Sequence, residues 1–107
     1  MRVIARRTPR VFVARQAGVK DQRALEKALE AWFREVKAAQ WTSTTDVKRR
    51  YGTASVTSAD RIVFNIKGND YRLVVAVDFF KGLVWIKWIG SHADYDRINA
   101  KEVQYDI

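Results

Sequence analysis

The chain has 107 residues, 48% of them apolar, with four Trp, four Tyr and five Phe, which predicts a single folded domain over 1–107 and excludes an intrinsically disordered chain. It has no Cys, so disulfides and thiolate chemistry are excluded, and no apolar run approaches the roughly 20 residues of a membrane helix. The net charge of +8 favours a polyanion or an acidic protein as partner.

The net positive charge comes entirely from the first half of the chain. Residues 1–51 carry 13 Lys and Arg against five Asp and Glu, whereas residues 52–107 carry seven of each. The first 20 residues have no acidic side chain and several Arg, as a transit peptide can have. Good helix-start signals favour instead a strand that runs into a helix, and the absence of Cys fits a cytoplasmic protein.

The first half of the chain reads as a short strand followed by helices. A strand is expected over 2–6, and Thr8 and Pro9 as N-cap and first residue of a helix that reaches about Gln16 and stops at Gly18. Asp21 is expected to cap a second helix over 22–39. Its apolar stripe is formed by Leu25, Ala28, Leu29, Trp32, Phe33 and Val36.

A third, short helix is predicted to begin at Thr44 or Thr45 and to end at Gly52. It carries three consecutive basic residues, Lys48, Arg49 and Arg50, which form a local cationic cluster and are candidates for RNA binding.

From Ala54 onward the apolar period becomes two, which predicts strands near 61–67, 70–78 and 83–89 and an edge strand within 54–57. Gly68-Asn69 is expected to form a two-residue hairpin turn. Ser91 and Asp94 resemble a capping pair for a short C-terminal helix that continues past Asn99. The predicted fold class is α+β, with a small antiparallel sheet packed on two or three N-terminal helices on one face.

Strand alternation divides the side chains of this sheet into two sets. One side carries only apolar and aromatic residues and is expected to lie under the helices. The other side, called the open face below, is predicted to present Asn65 opposite Arg72, Lys67 opposite Asp70, Lys87 opposite Val74 and Trp85 opposite Ala76. Cations that hold phosphates beside aromatic rings that stack on bases suit RNA, although an ordinary solvated sheet face has a similar composition.

His92 is the sole His, and it follows shortly after the Gly that ends the last strand. Its imidazole is suited to proton transfer near neutral pH, although a lone His is more often a surface or capping residue. With one His and no Cys, a metal site and a metal cofactor are not expected.

Five stretches carry a resemblance to a known family: MRVIARR, WFREVKAAQW, RYGTASV, RIVFNIKGNDYRLVVAVDF and WIGSHADYDRI. Together they resemble the HigB-like toxins of the RelE superfamily, over nearly the whole chain. The resemblance implies a RelE-like fold and a metal-independent endoribonuclease without a cofactor, which cleaves mRNA, often on the ribosome. It also implies a cognate antitoxin as partner, expected to be of the helix-turn-helix type.

The resemblance also implies roles for particular residues. Arg72 matches the phosphate-binding Arg of the YRLV strand, and His92 lies where many relatives have a basic catalytic residue. Lys67 lies near the position of catalytic Lys residues, and Tyr95 matches an aromatic residue near the C-terminus. A binding module without catalysis, or a protein-interaction domain whose acidic partner covers the basic half or the sheet face, remains open as an alternative.

Overall fold

The computed structural model describes residues 1–16, 18 and 20–99. Its elements in chain order are β1 (Arg2–Ile4), α1 (Arg7–Arg15), α2 (Gln22–Ala38), α3 (Thr44–Arg50), β2 (Ser55–Val56), β3 (Arg61–Ile66), β4 (Tyr71–Asp78), β5 (Leu83–Ser91) and α4 (His92–Tyr95). The strands form one sheet in the order β1-β5-β4-β3-β2. Over these residues no helix is long and apolar enough to cross a membrane.

The apolar stripe of α2 forms one wall of the core, as its helical spacing predicts. Its members Leu25, Leu29, Trp32, Phe33 and Val36 are all buried. Opposite them lies Phe64 of β3, whose ring is 5.3 Å from that of Trp32 and 5.0 Å from that of Tyr51. This side of the sheet, facing α2, is called the covered side.

The helix boundaries differ from the predictions mainly at α1. Thr8 does not cap this helix; it lies in the first turn, is 5% exposed, and its amide donates to the Ala5 carbonyl at 3.1 Å. Pro9 is tolerated there because the first-turn amides need no partner within the helix. The structure confirms the predicted α2 and α3 to within a residue or two, and Gly52 follows the end of α3.

The meander of β3, β4 and β5 is antiparallel as expected, but the complete sheet is mixed. β1 pairs with β5 in parallel, with Arg2 opposite Leu83 and Ile4 opposite Trp85. A parallel neighbour requires a long crossover, and here the helices and the meander provide it. The α+β class with the N-terminal helices packed on one side is thus confirmed, with β1 as an added parallel edge and β2 as the predicted opposite edge.

A β-bulge divides β5 into two parts. Ala76 pairs with Trp85, as predicted, and Asp78 pairs with Leu83, but Val74 then pairs with Trp88 instead of Lys87. The irregularity lies between Val74 and Val75, and Lys87 is the extra residue. The predicted pairing of Val74 with Lys87 is therefore wrong, and farther along the strand Arg72 pairs with Gly90.

The C-terminal helix begins as predicted and is shorter. The Ser91 hydroxyl accepts a hydrogen bond from the Asp94 amide at 3.1 Å, which is the expected cap. α4 ends at Tyr95, and residues 96–99 form turns and coil, so the prediction that the helix continues through Asn99 is wrong. Residues 100–107, where the same prediction placed its continuation, lie outside the described residues.

Candidate active site

Arg72 lies at the first β4 position of the open face and is held by the hairpin that precedes it. Its Nη2 donates to the Asn69 side-chain oxygen at 2.8 Å, and its Nη1 donates to the Asn69 carbonyl at 3.0 Å. Nη1 also lies 3.3 Å from the Tyr71 carbonyl. In the described part of the chain no carboxylate lies within ion-pair distance of this guanidinium. Arg72 is therefore a fixed, uncompensated positive charge.

His92 is joined to Arg72 by a direct hydrogen bond. Its backbone amide donates to the Asp70 carbonyl at 2.9 Å, which anchors the start of α4 on the β3–β4 hairpin. The imidazole Nδ1 lies 3.0 Å from Nη2 of Arg72. A guanidinium can only donate, so Nδ1 accepts and the neutral ring carries its proton on Nε2. Nε2 lies 3.7 Å from a carboxylate oxygen of Asp96, and the side chain is 45% exposed.

Tyr95 and Trp88 form the aromatic side of the same corner. The Tyr95 ring centroid is 6.0 Å from Cζ of Arg72 and 6.3 Å from the Trp88 ring centroid. Beneath these rings Val63 and Val74 are buried in a small second cluster, to which Ile98 also belongs. The open face is thus partly covered at this end, because α4 and the segment after it pack on it.

Lys67 lies beside this corner but departs from the predicted alternation. Its φ of 54° ends the strand at Ile66, and its ammonium pairs with Asp70 at 2.8 Å and Asp21 at 3.4 Å. Asp21 also accepts from the Tyr71 hydroxyl at 3.2 Å, on the covered side. The hydrogen bond to Asp70 is the largest of the effects that raise the pKa of Lys67. The two ion pairs with Asp70 and Asp21 favour the protonated, cationic form of this amine.

Of the other predicted residues of the open face, Asn65 lies beside Arg72, whereas Trp85 and Lys87 lie farther away. Asn65 pairs with Arg72 across the hairpin, and its amide nitrogen is 3.5 Å from the Thr53 carbonyl. Trp85 lies opposite Ala76, which is four residues from Arg72 along β4. The distance between these two positions along the strand is therefore about 13 Å. The Lys87 ammonium lies 5.9 Å from the Trp85 ring centroid.

The cationic cluster of α3 is on another surface, and its three side chains have partners within the protein. Lys48 donates to the carbonyls of Gly52 and Ala54 at 2.9 and 2.6 Å. Arg49 pairs with Asp46 at 3.3 Å and Arg50 with Glu35 of α2 at 2.7 Å. The guanidinium of Arg50 also lies 5.2 Å from the ring of Tyr51, which packs against Phe64 on the covered side.

Three residues of this corner were missed by sequence reasoning as site residues. Asn69 was assigned only to the turn, yet it makes two of the hydrogen bonds that hold Arg72. Gly90 was noted only as the Gly that ends the last strand, and Trp88 was not singled out; both lie after the bulge that interrupts the predicted alternation. A Cβ on Gly90 would lie 2.4 Å from Cη2 of Trp88, so the indole lies directly over this glycine. Trp88 and Gly90 directly precede the predicted C-terminal helix, and this position in the sequence was the signal that could have marked them as site residues.

The charged side chains just described do not form an evident cation site. Within residues 1–16, 18 and 20–99, no three His, Asp or Glu side chains converge in a group that could hold a metal ion. The one His of the corner contacts a guanidinium and a single carboxylate. What this corner offers is a cation for an anionic group, an imidazole and a phenol.

Comparison with known proteins identifies the family. A search of curated proteins finds no match to the chain. The family model described as HigB_toxin, RelE-like toxic component of a toxin-antitoxin system, matches residues 25–98. That range covers most of the chain and includes most of α2, the meander, Arg72, His92 and Tyr95. The chain therefore belongs to the HigB toxin family, the RelE-like toxic components of toxin–antitoxin systems.

Proposed function

We propose that this toxin is a metal-independent endoribonuclease that cleaves mRNA during translation and thereby stops growth. The observation that carries the proposal is the contact of 3.0 Å between the Arg72 guanidinium and the His92 imidazole, at an exposed corner of the sheet. A fixed cation joined to a proton-transfer group is what cleavage of a phosphodiester by its own 2′-hydroxyl requires. Such a reaction would take place in the cytoplasm, where mRNA is translated.

In this proposal Arg72 binds the scissile phosphate. Its charge has no carboxylate partner among the described residues, and Asn69 fixes its orientation through two hydrogen bonds. A preorganised guanidinium stabilises the charge that builds on the non-bridging oxygens of the pentacoordinate phosphorus. The other cations near the hairpin differ, since Lys67 is already neutralised by two carboxylates.

His92 changes its hydrogen-bonding role when the phosphate binds. In the free protein its Nδ1 is occupied by the Arg72 donor. A phosphate oxygen that takes over this donor leaves the Nδ1 lone pair free. The imidazole can then accept the proton of the 2′-hydroxyl, so phosphate binding and the availability of the base are linked.

The proposed reaction balances without any added reagent. The 2′-oxygen loses its proton to His92 and forms a bond to phosphorus, and the bond from phosphorus to the 5′-oxygen breaks. The leaving 5′-oxygen takes a proton from the Tyr95 phenol, which regains one from the protonated imidazole through solvent. The products are a 2′,3′-cyclic phosphate and a 5′-hydroxyl. The Trp88 and Tyr95 rings, 6.3 Å apart, border the place where a flanking base would lie.

The remaining predicted residues enter the proposal as binding or supporting groups. Asn65 lies next to the scissile phosphate, while Trp85 and Lys87 contact RNA farther along the open face. Lys67 holds the hairpin that carries Asn69. The α3 cluster of Lys48, Arg49 and Arg50 contributes only long-range attraction, because its side chains are engaged with α2 and the following loop. We expect the cognate antitoxin to be of the helix-turn-helix type.

Cleavage of a defined mRNA tests the proposal, with the purified toxin alone and in a translating extract. We expect cut sites within the translated region only when translation proceeds, with 5′-hydroxyl ends. Arg72→Ala should lower the rate by about 10²–10³-fold and His92→Ala by about 10²–10⁴-fold. Arg23→Ala, an exposed Arg of α2, is the matched control and should cleave normally. Intact mRNA in both settings, with folded protein, would refute the proposal.

The alternative is a toxin that binds RNA without cutting it, which the same guanidinium and aromatic pair would also favour. The variants separate the two. If Arg72→Ala weakens RNA binding with a steep salt dependence and His92→Ala leaves binding unchanged, while no cleavage occurs in any setting, then binding alone explains the corner.

A further inference from the structure

A second surface feature lies far from the candidate active site. It is a groove of about 720 Å³ between β1, the end of α2 with the loop that follows, and the turn that joins β4 to β5. We call it the turn-end groove. The floor and wall are aromatic, formed by Phe33, Trp41, Phe79 and Phe80. Phe33 and Trp41 are nearly fully buried, whereas Phe80 is 99% exposed.

The rim of the turn-end groove is positively charged and lacks acidic residues. Arg2, Arg6, Lys37 and Lys81 line it, and no Asp or Glu does. In the described part of the chain none of these four side chains pairs with a carboxylate. The cations of α3 and of the β3–β4 hairpin differ, because Arg49, Arg50 and Lys67 all have acidic partners.

Arg6 supplies a second, independent sign of an unfilled site. Its guanidinium lies 4.6 Å from the Phe33 ring centroid, and its Nε is buried without a hydrogen-bond partner among the described residues. A carboxylate brought by a partner to the rim would pair with this guanidinium, which has no carboxylate partner among the described residues. The fully exposed Phe80 is likewise an apolar side chain that a partner could cover.

We propose that the turn-end groove binds the cognate antitoxin, through an acidic segment of that protein that places an apolar side chain among the four aromatic rings. The inference rests on membership of the toxin family, which requires an antitoxin, and not on the ribonuclease chemistry. An aromatic or aliphatic anchor in a pocket, ringed by charge pairs, is how tightly bound interfaces concentrate their affinity. Carboxylates of the antitoxin segment would lie against Arg2, Arg6, Lys37 and Lys81.

RNA is the less suitable occupant because of where the groove lies. Phe33 and Trp41 belong to the covered side of the sheet, whereas Arg72 and His92 lie on the open face. The groove also lies at the opposite end of β4, which spans Tyr71–Asp78 and is about 23 Å long. One RNA strand would have to turn around the β1 edge to reach both places.

The test measures the affinity between the purified toxin and the protein encoded by the adjacent reading frame. Two variants alter the groove: Phe80→Ala, and the charge reversal Arg2→Glu with Lys81→Glu. The matched control, Arg10→Glu with Lys27→Glu, makes the same change in net charge on exposed positions outside the groove. We expect each groove variant to raise Kd at least tenfold, and the control to change it less than threefold.

Three outcomes would overturn the proposal. One is normal binding by both groove variants; another is an equal loss in the charge-matched control. The third is unchanged antitoxin binding combined with weaker RNA cleavage, which would assign the groove to RNA. Phe80 is fully exposed, so Phe80→Ala cannot fail through loss of the fold, and thermal unfolding checks the double variants. A toxin without any ribonuclease activity would still give a clear binding result.

Discussion

Replacement of Gly90 by Ala is the sharpest test of how the candidate site is held. Gly90 is buried in β5 opposite Arg72, and a Cβ there would lie 2.4 and 2.6 Å from two ring atoms of Trp88. The indole packs against Val63, Val74 and Tyr95, so a shift that makes room for the Cβ disturbs these contacts. Overpacking of this kind costs about 1–3 kcal/mol of unfolding free energy.

Once the indole is removed, the backbone conformation of Gly90 predicts that Gly90→Ala raises the free energy of unfolding instead of lowering it. Its φ is not positive, so Ala fits this conformation, and the change restricts the unfolded chain. In a Trp88→Leu background Gly90→Ala should therefore stabilise the protein by about 0.4–1 kcal/mol. The effect of Gly90→Ala on the unfolding free energy should thus differ between the two backgrounds by about 1.5 kcal/mol or more, which is the coupling energy of Gly90 and Trp88.

Urea unfolding of the four proteins that form this double-mutant cycle measures the coupling, and the same samples serve for cleavage assays. We expect Gly90→Ala to reduce cleavage as well, since Trp88 packs against the ring of Tyr95 beside Arg72. Equal effects of Gly90→Ala with and without Trp88 would refute the packing described for this corner.

Two further changes test single contacts. Asn69→Ala removes one acceptor of the Arg72 guanidinium and should slow cleavage about tenfold. Asn69→Asp should slow it more, because a carboxylate at this position neutralises the charge that the phosphate needs; initial rates that rank the two in reverse would contradict this. Burial, and then the hydrogen bond to Glu35, raise the pKa of Tyr51 above its ordinary value near 10. The folded state thus prefers the neutral phenol, so its contribution to stability is intact below about pH 10 and is lost as the pH rises further. The free energy of unfolding, measured in urea at about pH 8 and about pH 11, should therefore fall less between the two pH values for Tyr51→Phe than for the unaltered protein.

The sequence was sufficient for most of the fold because its periodic signals are long. The α2 stripe repeats over several helical turns and the alternation of β3 and β4 over several residues, and the predicted pairing of Asn65 with Arg72 is confirmed. Arg72, His92 and Tyr95, which were singled out separately, also lie together. Their catalytic roles stay predictions.

What the sequence could not reveal depends on single residues and on distant parts of the chain. One extra residue at Lys87 changes every later pairing of β5, and no composition signal marks it. The left-handed backbone of Lys67 breaks the alternation that placed it beside Arg72. Its pairing with Asp70 lies within the predicted hairpin, but its second partner, Asp21, is a residue of the α2 start, far away in sequence, so that ion pair could not be foreseen.

Because of the bulge in β5, the two ends of this strand pair with β4 in registers that differ by one residue. The pairs from Asp78–Leu83 to Val75–Ile86 fix the turn end, and the pairs from Val74–Trp88 onward fix the end that carries the candidate site. Lys87 absorbs the difference between them. A substitution that shifts the turn, where the turn-end groove lies, therefore need not rotate Trp88 or Gly90. The proposed antitoxin groove at one end and the proposed phosphate site at the other can thus be altered independently within one strand.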